Sequence, residues 1–570
     1  MVSSITHSTP HVQEKVRFLE DYFDAAVALS ARVPQFHVDN HELLLDELCF
    51  HLGLPGRSRW KLLYVEPILS HDLWRHKDII SKSKSYRSFE RHRRSYLNSP
   101  SKTKKEEWLE AKATILLKHA TALHRDLKRW YLRKQVDEVV SFVGCVHKLA
   151  FHVEDMCEAI RCIVSLHLLG GQHEKDLREL IHTIISRDIK KYPFPKRLVG
   201  ATNERKQEYL DKLTLKEQFR SLAYLKHKPR RTAHYVFRFF GVKADQSFSV
   251  RYPGVEFMHG ENTRLVRLRP HMTRWIVPHA FLETADCLYA VVKVSSNSAD
   301  ARERIAMARV RQAGEYLKAQ IGEGFHLDPT SYLTTSDFTD VGGRLSYNEG
   351  RLRVSKLDQE RLRETSFALL ARVRSVAKTE FLRHEPLFYR AVLSGLPSDY
   401  WVYAEVLLSD LVHTQQRIEK LSRLCALGQE GFSERILSSR LWNIVAHERH
   451  DDLGITSAQS DQLYSLSARP RAMVDWLERH VHVPIIKQLV IYVRQVQGMS
   501  TADYARSNSH VWIRAYGQRN GLLHANTSNT KTVSVCVEML PPLVQRMRAS
   551  IVKSIKSNPS QSLREVLASL

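Results

Sequence analysis

The sequence predicts a mainly α protein: a helical N-terminal region, a small α+β middle domain and a C-terminal helical bundle. Two patterns predict it. Apolar residues recur at i, i+3 and i+4 from about residue 12 to 225 and again from Leu357 onward, the spacing of an amphipathic helix. Between them, His234–Phe240, Thr263–Arg269 and Cys287–Val294 are rich in β-branched and aromatic residues and read as strands. The expected divisions are 1–225 (helical and basic), 226–350 (α+β) and 351–570 (helical).

Taken in order, Glu14–Ala31 and Glu42–Leu52 show the helical spacing. Ser81–Lys105 carries nine Lys/Arg against one acid, Glu90, interleaved with Tyr86, Phe89 and Tyr96. Charge with rings suits single-stranded RNA, since cations hold the backbone and bases stack on rings. Arg91, Arg93 and Arg94 are the RNA-binding candidates there; the plain alternative is a solvated helix face. Trp108–Leu169 reads as two long helices ending at Gly170-Gly171. It holds His147, His152, Cys157, Cys162 and His167 at intervals of five. Each interval turns a helix by 140°, so one helix cannot converge them on a metal, and no metal or other cofactor is expected.

Two stretches, Gln218–Lys243 and Asn262–Leu282, contain no acid. Arg230 and Arg231 lie in the first, Arg264, Arg267 and Arg269 in the second. If Thr263–Arg269 is a strand, Arg267 and Arg269 share one face, and a basic sheet face is a candidate RNA surface. Ser295–Lys318 reads as a helix with Ala299, Ala306, Ala308 and Ala313 for close packing. Gly322–Gly350 reads as a connection holding a hairpin. Further helices are expected over Gln359–Ala377, Asp399–Leu424, Glu434–Arg449, Ala472–Glu478 and Pro484–Val496. A last one covers about Leu543–Lys556, with Pro541-Pro542 opening it, because proline suits the first helical turn.

Composition bounds the partners. Lys and Arg exceed Asp and Glu by 86 − 62 = 24, which points to a polyanion: nucleic acid first, an anionic membrane surface second. The seven cysteines include no CxxC pair, so neither a zinc ribbon nor a disulfide framework is suggested, and a reducing cytoplasm fits. The N-terminus lacks signal-peptide character, and no apolar run approaches the roughly 18 residues of a membrane span. Phosphate-loop (GxxxxGK[ST]), zinc-protease (HExxH) and esterase (GxSxG) signatures are missing, so those chemistries lose their support.

The stretch Val511–Asn526 carries the most specific signal. On a helix, Val511, Trp512, Ala515, Leu522 and Leu523 share a broad face with Arg519 in its middle. A guanidinium keeps its proton, so something anionic should meet it, either a carboxylate or a phosphate. Asn520 follows directly, then His524, then a polar hinge over Asn526–Thr530. At least seven Arg/His pairs have comparable spacing among the 29 histidines, but only Arg519/His524 has Asn after the Arg and an apolar pair before the His. Such a trio suits cleavage of RNA, whose own 2′-hydroxyl is the nucleophile. Histidine moves a proton near neutral pH, and arginine neutralises the phosphorane. No metal is required.

Arg-Asn-x-x-x-His near the end of a helical bundle resembles the HEPN ribonuclease superfamily, which includes abortive-infection and toxin ribonucleases and the nuclease halves of type VI CRISPR effectors. The resemblance covers about the last 200 residues and makes the expected C-terminal unit a HEPN-like bundle. It implies a metal-independent endoribonuclease of antiviral defence or toxin type, with Arg519, Asn520 and His524 catalytic. The alternative is a catalytically inactive HEPN-like RNA-binding or sensor module. Arg519 and His524 sit 140° apart on a regular helix, about 7.5 Å along it, so either the helix distorts at Gly521 or two motifs form a joint site. The family arrangement implies the joint site, hence a homodimer or higher oligomer, or a second motif in the chain. Arg440, Asn443 and His447 share one helix face and are the in-chain candidate for that second half-site. A regulatory partner or a guide RNA is left open.

Overall fold

The computed structural model describes residues 10–30, 39–54, 59–75, 80–98, 102–144, 153–169, 172, 174–227, 231–241, 248–252, 254–271, 281–282, 287–296, 299–321, 326–345, 370, 373–409, 411, 414–427, 429, 432–447, 453–525 and 530–570. The chain is mainly helical, with one antiparallel sheet in the middle. Helices of eight residues or more are α1 (Pro10–Ser30), α2 (His41–Gly53), α3 (Arg59–Ser70), α4 (Tyr86–Leu97), α5 (Lys102–Gly144), α6 (Val153–Leu169) and α7 (Asn203–Asp211) before the sheet. Helix α8 (Ala299–Ile321) lies within the sheet region. After it come α9 (Val376–Arg383), α10 (Glu385–Ser394), α11 (Pro397–Leu407), α12 (Thr414–Leu427), α13 (Phe432–His447), α14 (Ser457–Leu466), α15 (Pro470–His480), α16 (Pro484–Gln497), α17 (Thr501–Ala525) and α18 (Thr530–Ser557).

The sheet has strands β1 (Arg231–Phe240), β2 (Ser249–Tyr252), β3 (Val255–His259), β4 (Leu288–Ser296), β5 (His326–Thr335) and β6 (Gly342–Leu345), in the order β2-β3-β4-β1-β5-β6. Period-two alternation in β1 sends Tyr235, Phe237 and Phe239 to one face, against Ala306, Val310 and Ala313 of α8. Gly314 lets that helix close in, since a Cβ there would stand 3.2 Å from the Phe239 ring. Of the other alanines expected to pack, Ala299 is exposed, and the Ala308 side chain lies outside the described residues. The expected hairpin is β5–β6, with Ser331 opposite Leu345.

Thr263–Arg269 is not a strand. Asn262 caps a helical turn over Thr263–Val266, its side chain accepting from the Arg264 N–H at 3.1 Å, and a second short turn covers Arg269–His271. Leu265 and Leu268, three residues apart, are the buried pair, and with Phe281 they cover the sheet's second face around Tyr289 of β4. The i, i+3 leucines and the Asn cap override the Val266/Leu268 alternation, so Arg267 and Arg269 do not share a strand face.

Two other expectations change. Asp399–Leu424 is two helices, α11 and α12; the Ser409 hydroxyl donates to the Val406 carbonyl at 2.9 Å where the first ends, a local bond that competes with helix continuation. Pro541 and Pro542 lie inside α18 instead of opening it. Each interior proline costs about 3 kcal/mol. Met539, Leu540, Leu543 and Val544 are all buried around them, and at about 1.5–3 kcal/mol per buried side chain they offset that cost. Most of Gln359–Ala377 and residues 526–529 of the expected Asn526–Thr530 hinge lie outside the described residues, and Thr530 already belongs to α18.

The helical segments on either side of the sheet pack together. One core joins Phe18 and Tyr22 of α1 and Ile160 of α6 to Leu441 of α13, Leu477 of α15 and Leu489 of α16. A second holds Trp401 of α11, Leu421 of α12, Trp512 of α17 and Leu543 of α18, and takes Leu43 from α2. A third, built from Leu44, Leu48, Trp74, Phe89 and Leu123, belongs to α2–α5. Helix α17 therefore spans two cores, with Tyr504 in the first and Val511, Trp512 and Ala515 in the second. No helix among the described residues is long and apolar enough to cross a membrane.

Candidate functional site

Helix α17 starts at a reciprocal cap: the Ser500 hydroxyl accepts from the Asp503 N–H at 3.2 Å, and Asp503 accepts from the Ser500 N–H at 3.1 Å. Trp512 and Tyr516 lock its middle by packing on Trp401, with the Tyr516 ring 4.7 Å away. Of the three arginines on this helix, Arg506, Arg514 and Arg519, the last two lie at or just beyond this fixed stretch, and their surroundings differ.

Arg514 is the buried one, with 6% of its side chain exposed. Its Nε donates to Glu47 Oε1 at 2.7 Å and its Nη2 to Asp39 Oδ1 at 2.8 Å. Burial alone would lower its pKa; the carboxylates of Asp39 and Glu47 outweigh that and raise it. Asp39 immediately precedes Asn40, whose side chain caps α2 at the Leu43 N–H, so the start of α2 is clamped to α17. The sequence gives no hint of this, because both partners lie more than 460 residues away.

Arg519 is more open, at 28% of its side chain. Its Nη1 donates to Asn520 Oδ1 at 2.9 Å, and its Nη2 stands 3.5 Å from Glu405 Oε2 on α11. Glu405 is already held by Arg417 Nη1 at 2.9 Å. The anion anticipated beside Arg519 is thus a carboxylate at the edge of hydrogen-bonding range, shared with a second arginine. Asn520 is buried. The helix continues through Gly521 and His524 to Ala525, and the His524 side chain lies outside the described residues.

The second candidate trio stands elsewhere. Arg440, on α13, pairs with Asp24 of α1, and burial pulls its guanidinium below the usual range while Asp21 opposes this. Asn443 is exposed; the His447 side chain lies outside the described residues. Arg440 and Arg519 thus answer to carboxylates on different helices, Asp24 on α1 and Glu405 on α11.

The cationic candidates divide into paired and open. Arg93 and Arg94 both bind Glu90 at 2.6 Å; burial raises the Glu90 pKa, but these bonds outweigh it and lower it. Arg264 pairs with Glu256 at 2.5 Å and Arg269 with Glu261 at 2.6 Å. Arg91, Arg231 and Arg267 are exposed, and Arg230 lies outside the described residues. The rings of Tyr86, Phe89 and Tyr96 are buried in the core beneath α4, so they offer no stacking surface. That helix keeps Arg87, Arg91 and Arg94 on its exposed side, at i, i+4 and i+7.

No family model, curated protein or solved structure matches the chain.

Elsewhere, Cys157 and Cys162 of α6 face different cores, as their 140° separation requires, and burial pushes both thiols up to about 12. His167 Nε2 contacts the Leu222 carbonyl at 3.2 Å. His147 and His152 lie outside the described residues. A different set does meet: Asp39, His71 and His510 bring one ligand-type atom each within 4.8 Å of one another. The sequence carries no signal for it, since Asp39 precedes α2, His71 follows α3 and His510 is on α17.

Proposed function

We propose that this chain is a metal-independent endoribonuclease of the HEPN type, acting in antiviral defence or as a toxin. The observation that carries the reading is the contrast along α17. Arg514 is enclosed by two carboxylates at full hydrogen-bonding distance, whereas Arg519 keeps an open guanidinium oriented by Asn520 and only loosely approached by Glu405. An arginine held but not neutralised is what a scissile phosphate needs. The net charge of +24 supports a polyanionic substrate.

In this mechanism Arg519 binds the phosphate and takes the charge that grows on the phosphorane. His524 moves the proton, and Asn520 orients the arginine. The 2′-oxygen forms a bond to phosphorus, the bond to the 5′-oxygen breaks, and the 5′-oxygen leaves with a proton. The products are a 2′,3′-cyclic phosphate and a 5′-hydroxyl. Two half-sites from two copies of the chain would bring a second arginine and histidine to the same phosphate, so the active species is a homodimer.

The test is cleavage of end-labelled RNA in EDTA, with the sedimentation of the active species measured alongside. His524→Ala and Arg519→Ala should each lower the rate by about 10²–10⁴-fold with unchanged melting temperature. Arg519→Lys should rescue only in part, because an ammonium cannot make the two-pronged contact. RNA bound in a salt-dependent way but left uncut by the wild type would select the RNA-binding module, a reading favoured by the Glu405 contact to Arg519.

A further inference from the structure

We propose that Asp39, His71 and His510 bind one divalent transition-metal ion of the zinc class, tying the N-terminal helices to α17. The donor set is two imidazoles and one carboxylate, with one donor atom from each within 4.8 Å of the others. Such a set suits Zn²⁺ and its neighbours and disfavours the hard cations Mg²⁺ and Ca²⁺, which prefer all-oxygen sites. His71 Nε2 and Asp39 Oδ2 stand 3.4 Å apart. A tetrahedron built on bonds of about 2.0–2.1 Å has an edge of about 3.3–3.4 Å, so two of the three ligands already have the required separation. The His71 and His510 rings lie 4.9 Å apart, tilted by 49°, and the third donor stands within 4.8 Å of the other two.

Charge and orientation point the same way. Arg514 contributes +1 and Asp39 and Glu47 contribute −1 each, leaving one negative charge beside two imidazoles. Arg514 Nη2 takes Asp39 Oδ1 at 2.8 Å, which leaves Oδ2 directed at His71. An outer hydrogen bond of this kind orients a ligating carboxylate. Loading has a cost. The Leu73 N–H donates to His71 Nδ1 at 3.1 Å, which places the neutral ring's proton on Nε2. A metal on Nε2 shifts that proton to Nδ1 and gives up the Leu73 hydrogen bond. His71 and Asp39 are both partly exposed, so an ion has a path in. Because the ligands come from three separate elements, the ion binds the folded chain and adds to its stability.

The test uses the full chain stripped with EDTA and then titrated with Zn²⁺ alone by calorimetry, with thermal melts at each step. One equivalent of Zn²⁺ should bind and raise the melting temperature. His71→Ala and His510→Ala should each weaken binding by at least about 10–100-fold, since losing a direct ligand costs at least as much as losing an outer one. His182→Ala, at an exposed histidine, should change nothing. X-ray absorption of the zinc-loaded wild type should show two imidazole nitrogens and oxygen, a reading independent of whether any variant folds. Failure to bind one equivalent, a sulfur-containing shell, or binding unaffected in both variants would overturn the proposal. RNA cleavage well below the melting temperature should be the same with and without EDTA, so this result stands apart from the nuclease reading.

Discussion

Replacing Arg514 by methionine leaves Glu47 in a nearly closed pocket without the guanidinium that holds it. The wild-type carboxylate receives Arg514 Nε at 2.7 Å and Nη2 at 3.4 Å, and its side chain is 4% exposed. Removing one partner of such a buried pair costs about 3–5 kcal/mol, because the remaining charge is not solvated. Asp39 is more exposed, at 17%, and regains water, so most of the loss falls on Glu47. Adding Glu47→Leu removes the buried carboxylate as well, and the double variant should recover much of the stability. Equilibrium unfolding in urea with EDTA present, on the wild type, both single variants and the double, gives the coupling energy directly. Arg519→Ala is the internal control: Glu405 keeps Arg417, and a half-open pair is worth about 0–1 kcal/mol. A loss below about 1 kcal/mol for Arg514→Met, or a double variant equal to the sum of the singles, would refute the reasoning.

Two further outcomes are expected. Burial holds the His51 imidazole down to about 3, against about 6.5 in the unfolded chain; between those values only the unfolded chain takes up the proton, so stability is lost as pH falls below about 6.5, by about 2 kcal/mol at pH 5. His51→Gln should flatten that part of the curve in urea melts run from pH 8 to pH 5, and an unchanged slope would exclude His51 as its source. RNA affinity should fall steeply with salt, and reversing the open arginines Arg91 and Arg267 to Glu should shrink the salt slope by about 0.7 for each phosphate of single-stranded RNA that is no longer neutralised. Equal effects from reversing the paired Arg264 and Arg269 would show that only net charge matters.

Local periodicity located most of the helices, because a 3.6-residue apolar repeat needs no distant partner, but it merged α11 with α12 and started α18 too late. It determined β1 and β4 for the same reason, through their dense β-branched and aromatic runs. Where two local patterns competed, at Thr263–Arg269, the Asn262 cap and the Leu265/Leu268 pair prevailed, and only their burial against the sheet decides it. The position of Arg519, Asn520 and His524 on one helix was likewise legible. How far each arginine is buried was not. A helical wheel places Arg519 at the centre of the apolar face, yet Arg514 is the one enclosed, because its carboxylates arrive from the start of α2. The same holds for the rings of α4, which read as a stacking surface and serve as core. Charge balance, burial and the meeting of Asp39 with His71 and His510 depend on which elements pack together, and that is set by long-range contacts that no window of sequence contains.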